Sequence, residues 1–128
     1  MAAKPYTLSA QVTLPPDDGQ PTSIRDLIAS GSFTHKVELE LVMDASGDEA
    51  ISFGSIPSTG AKLVLVEYPV TTSADAPITV TVNGSTPGVP ISAGGGILLS
   101  SPTPTGGGIV SMSINHTTTG VVKVTLLA

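Results

Sequence analysis

The chain has no cysteine and no tryptophan, and its aromatic residues are only Tyr6, Phe33, Phe53 and Tyr68. Without cysteine there is no disulfide framework, no thiolate metal site and no thiol nucleophile. Tyr6 and Phe33 fall at apolar positions of alternating segments, where a core claims them. Too few rings remain for the flat platform of a sugar-binding module or for stacked bases of single-stranded nucleic acid.

Positive charge is equally scarce. Lys4, Arg25, Lys36, Lys62 and Lys123 are scattered against ten acidic residues, for a net charge of −5. No basic stripe exists to capture phosphates, so nucleic acid and anionic membranes are excluded as expected partners. Charged residues make up 12% of the chain, about half the usual quarter. A surface so poor in charge is either coated with Ser, Thr, Gly and Pro or partly covered by a neighbour. Long apolar runs are missing too, because Thr, Ser, Gly or Pro interrupts each one. "MAAKPYTLSAQ" has no apolar stretch of signal-peptide length, so the expectation is a soluble protein made without an export signal. A length of 128 residues predicts a single domain over 1–128, with residues 1–5 as a flexible or contact arm.

What the chain does have is a period of two. In "YTLSAQVTL" Tyr6, Leu8, Ala10, Val12 and Leu14 oppose Thr7, Ser9, Gln11 and Thr13, and in "FTHKVELELVM" Phe33, Val37, Leu39, Leu41 and Met43 oppose Thr34, Lys36, Glu38 and Glu40. Both patterns predict antiparallel strands, one face buried and one wet. Leu63 to Val66 is apolar on both faces, as in the middle of a sheet or under a neighbouring subunit. "ITVTVNG" ends in Asn83-Gly84, a hairpin-turn signal because both residues tolerate positive φ. Short apolar pieces at 89–91 and 97–99 follow, then "IVSMSIN" and "VVKVTLLA". One segment departs from this pattern. In "TSIRDLIASG" Ser23 is a candidate N-cap, Ile24, Leu27 and Ile28 have helical spacing and Gly31 is a stop signal, which predicts a short helix near residues 23–30. The expected fold is all-β: a single antiparallel β-sandwich of jelly-roll type with about eight strands and that one helix, an immunoglobulin-like sandwich being the alternative.

Candidate chemistry is thin. Gly94 to Gly96 and Gly106 to Gly108 lead into strand-like Ile97-Leu98-Leu99 and Ile109-Val110 with no lysine nearby, so they read as corners and not as a phosphate cradle. "SSPTPTGGG" reads as an exposed loop, because Pro102 and Pro104 cannot donate to a ladder. His35 lies on the apolar side of its strand and reads as a core or interface residue, and His116 falls at a strand end where a turn role is expected. No nucleophile elbow surrounds any serine, and no enzyme is predicted. The acidic clusters "DASGDE" and "PPDDGQ" lack calcium-loop spacing and read as solvated turns, so neither a metal nor a cofactor is expected.

Over residues 60–128, "GAKLVLVEY", "PITVTVNG", "PISAGGGILLSSP" and "SMSINHTTTGVVKVTLLA" resemble, in that order, small phage-encoded structural proteins. The resemblance implies a virion component made in the bacterial cytoplasm: a capsid decoration protein that forms a homo-oligomer, most simply a trimer, on the major capsid protein. The alternative is a tail or receptor-contact module that recognises surface glycan or protein. Lys4, Pro5, Pro102, Thr103, Pro104 and Thr105 are the candidate subunit or capsid contacts.

Overall fold

The computed structural model describes residues 2–14, 16, 23–44, 46–70, 76–100, 108–117 and 119–128. Among them there is no helix. Ten strands form three antiparallel sheets: β1 (Lys4–Leu14), β2 (Ser23–Phe33), β3 (Lys36–Met43), β4 (Gly47–Ala50), β5 (Leu63–Glu67), β6 (Ile78–Val82), β7 (Val89–Ile91), β8 (Gly96–Ser100), β9 (Met112–His116) and β10 (Gly120–Leu127).

The helix expected near residues 23–30 is absent, and β2 takes its place. It pairs with β1 over eleven residues, from Lys4 opposite Phe33 to Leu14 opposite Ser23. A helix of two turns is marginal by itself because nucleation is costly, whereas β1 offers a partner to every residue of this segment. The helical spacing of Ile24, Leu27 and Ile28 is then split: Leu27 lies opposite Ala10 on one face, while Ile24 and Ile28 lie opposite Thr13 and Ser9 on the other. With β2 and the short β4 added, the strand count is ten where about eight were expected.

The other eight strands form two four-stranded sheets, ordered β3-β10-β5-β8 and β4-β9-β6-β7. The alternating segment from Phe33 to Met43 is interrupted where β2 hands over to β3. There the Thr34 and His35 N–H groups both donate to the Ala128 carbonyl, at 2.6 and 2.8 Å, and the Ala128 N–H donates to the His35 carbonyl at 2.9 Å. This local network turns the chain from one sheet into the next.

Period-two patterning explains the core. Met43, Val64, Val66, Val122, Val124 and Leu126 of the first sheet and Ile78, Val80, Ile91, Met112 and Ile114 of the second belong to one buried cluster with Ile51 and Tyr68. Each such side chain contributes about 1.5–3 kcal/mol by leaving water. β10 sits between β3 and β5, and its Val122, Val124 and Leu126 are all buried, so a charge at Val124 would break the cluster at its middle. The double-sided apolar character of Leu63 also has its cause within the chain. Leu63 and its cross-strand partner Leu127 point away from the main core into a second cluster with Leu8, joined by Tyr6, Phe33 and Leu98. That cluster seats the base of the β1–β2 ribbon on the outer face of the first sheet. Gly31 is what lets the base close. Tyr6 lies opposite it, and a Cβ there would come within 2.7 Å of the Tyr6 hydroxyl.

Candidate interaction surface

Among the described side chains of the ribbon, burial is confined to its base. Farther along β1 and β2, Val12, Leu14, Ile24, Leu27 and Ile28 are about half exposed or more, with Ile28 at 72%. Val12, Leu14 and Leu27 lie on one face of the ribbon and Ile24 and Ile28 on the other. β1 and β2 pair with each other and with no other strand among the described residues, so each also presents an open edge. An isolated two-stranded ribbon is marginal in water because it has no third surface on which to bury its apolar side chains. Exposed edges and exposed apolar faces together make this arm the candidate interaction surface among the described residues.

Lys4 and Pro5 begin β1 at the ribbon base, opposite Phe33 and Ser32, and both are exposed. They are the first two residues of a paired strand. Pro102, Thr103, Pro104 and Thr105 lie outside the described residues, as do Gly106 and Gly107, Asp17 and Asp18.

The first triple glycine is a corner in structural detail. Gly94 has φ of +89°, its N–H donates to the Tyr68 carbonyl at 2.6 Å, and the Gly95 N–H donates to Ser92 at 3.0 Å. Gly96 starts β8 so close to its neighbour that a Cβ would sit 2.5 Å from the Val66 carbonyl oxygen. The amides of Gly94 and Gly95 are consumed by the protein, and neither is left to cradle a phosphate.

His116, expected in a turn, is instead fully buried on β9. Its Nε2 is 3.3 Å from the Glu49 Oε1, and its Nδ1 is buried without a hydrogen-bond partner. Inward alternation from Met112 and Ile114 was the signal in the sequence that placed it there. Nearby, Asn115 Nδ2 donates to Asp48 Oδ1 at 3.0 Å. The acidic cluster is therefore spent partly on strand β4, and among the described residues no group of three or more His, Asp or Glu is arranged to hold a metal ion.

Asn83 has a role beyond its turn. Asn83 and Gly84 both have positive φ, 51° and 69°, and the Ser85 N–H closes the turn on the Val82 carbonyl at 3.0 Å. The turn does not join paired strands directly, since the β6–β7 ladder begins only at Val80 opposite Val89. Instead the Asn83 Oδ1 accepts from the Val110 and Ser111 N–H groups at 2.8 and 3.2 Å, and Nδ2 donates to the Gly108 carbonyl at 3.2 Å.

Among the described residues, cavities open at two places on the surface that bear on these groups. One of about 220 Å³ is lined by Glu67, Tyr68, Pro69, Gly94, Gly95 and Lys123. The other, about 300 Å³, lies at the ribbon base and includes Lys4, Phe33 and His35 in its lining. Compared with known proteins, the chain matches no family model, no curated protein and no solved structure.

Proposed function

We propose that this chain is a non-enzymatic structural protein of a virus particle, a homo-oligomer that braces the major capsid lattice, and that its two four-stranded sheets pack as a jelly-roll β-sandwich. The sandwich reading is supported by the shared buried cluster and by the path of the chain. Strands β3, β5, β8 and β10 fall in one sheet and β4, β6, β7 and β9 in the other, a distribution that supports the eight-strand, two-Greek-key reading.

The oligomer is carried by one observation: an eleven-residue ribbon whose far half has Val12, Leu14, Ile24, Leu27 and Ile28 exposed and, among the described residues, no strand beyond its own pair. Such an arm gains stability by reaching a second copy, and cyclic exchange among three copies buries every arm once. A trimer with three identical contacts to a lattice then turns weak individual affinities into durable attachment. The test is the mass of the purified protein in solution, followed by co-sedimentation with bare phage heads. A trimer that sediments with heads is expected. A monomer that stays in the supernatant would remove the reading.

A further inference from the structure

We propose that the cavity at the base of the β1–β2 ribbon is an anion-binding site that takes a carboxylate carried on a small apolar body. Lys4, Phe33, Thr34, His35, Lys36 and Ser55 line it. Only five lysines and arginines occur in the chain against ten acids, yet two of those lysines meet here, with no acidic residue in the lining. Within a protein of net charge −5, that convergence makes a local positive field in a concave wall, where an anion is drawn in.

The lining is also chemically divided. Lys4 and Lys36 supply ammonium donors and Thr34 and Ser55 hydroxyls, while Phe33 supplies an apolar wall. His35 is oriented by its Nδ1, 2.9 Å from Thr34 Oγ1, which leaves its Nε2 for a ligand. Lys36 Nζ lies 3.6 Å from Glu38 Oε1, but this pair is more than half exposed and weakly held, so the ammonium can turn to an incoming carboxylate. The backbone behind these groups is fixed, since Thr34 and His35 are both tied to Ala128. A volume of about 300 Å³ is at the lower end of small-molecule sites and exceeds what a bare ion fills. The same chemistry has two sources, a free organic acid or an acidic side chain of a second copy of this chain.

Amide chemical shifts of the full chain, titrated with benzoate and separately with neutral benzamide, test the site. Benzoate should move the Phe33, His35 and Lys36 amides, benzamide should not, and added salt should weaken the effect. A Lys4→Gln, Lys36→Gln double variant that keeps its β9 amide shifts should bind benzoate about tenfold more weakly or worse. Should that variant fail to fold, the benzoate and benzamide contrast on the unaltered protein decides the matter. Apparent benzoate affinity that falls as protein concentration rises identifies a second copy's carboxylate as the natural occupant, and affinity independent of concentration identifies a free acid. No shift with benzoate at millimolar concentration, or equal shifts with benzamide, overturns the proposal.

Discussion

The imidazole of His116 faces the carboxylate of Glu49 across the β4–β9 pair, Nε2 to Oε1 at 3.3 Å. Glu49 lies opposite Ile114 in the register, so it shares the inward face of its sheet, and β4 is that sheet's edge strand. An inward-directed charge on a short edge strand discourages another chain from adding to the sheet there. The histidine satisfies that charge from the protein side.

Replacing His116 by Ala removes a fully buried side chain and should lower stability by about 2–3 kcal/mol. Glu49→Ala should cost about 1 kcal/mol or less, because the Glu49 side chain is 38% exposed and water replaces its partner. Urea denaturation midpoints of the two variants separate these values. Equal losses would mean that the pair, and not burial of the ring, dominates.

Asn83 provides a second contrast. Asn83→Gly keeps the positive φ of 51° and loses the side-chain bonds to Gly108, Val110 and Ser111, whereas Asn83→Ala loses both. The expected costs are about 1–2 kcal/mol for Gly and about 1 kcal/mol more for Ala. If thermal unfolding ranks Ala above Gly, the left-handed turn is not what the residue is chosen for.

Gly60 and Gly84 share a left-handed backbone but not a surrounding. At Gly60, φ is +93° and a Cβ would meet the Gly108 backbone at 2.8 Å, while at Gly84, φ is +69° and nothing lies within 4 Å. Gly84→Ala should therefore cost about 1 kcal/mol of strain alone. Gly60→Ala should cost about 3 kcal/mol or prevent folding, because the neighbour is backbone and cannot step aside. Soluble yield and denaturation midpoints read both.

The exposed far half of the ribbon predicts a separation of assembly from folding. Leu27→Glu with Ile28→Glu places charge on both faces of the arm, where the present side chains are 53% and 72% exposed. Light-scattering mass should drop to that of a monomer, while the unfolding midpoint of the remainder moves by no more than about 0.5 kcal/mol. A variant that stays oligomeric would move the subunit contact elsewhere.

Alternation made much of this legible in advance. The inward residues of β3, Val37, Leu39, Leu41 and Met43, all belong to or pack on the main cluster, and the glycines at 94–96 are corners. Local pattern misled at Ile24, Leu27 and Ile28, whose spacing fits a helix turn as well as two faces of a strand. The choice was made by β1, a partner that the segment cannot reveal by itself. His116 was misplaced because a polar residue at the end of a strand looks like the beginning of a turn, and its side-chain contact, Glu49, is 67 residues away. Cavity walls were beyond sequence reading for the same reason: Lys4, His35 and Ser55 meet only after the ribbon has docked.

β10 hydrogen-bonds on one side to β3 and on the other to β5, and among the described residues β3 has no other strand beside it. A nascent chain that has emerged only as far as β9 therefore holds its first-sheet strands without the one that joins them. Residues 120–127 must be available before that sheet can close, so its folding is nonlocal and comparatively slow. Until β10 pairs, the apolar rows on β3 and β5 are open to other molecules, which makes the interval before it joins a time of exposure to mispairing.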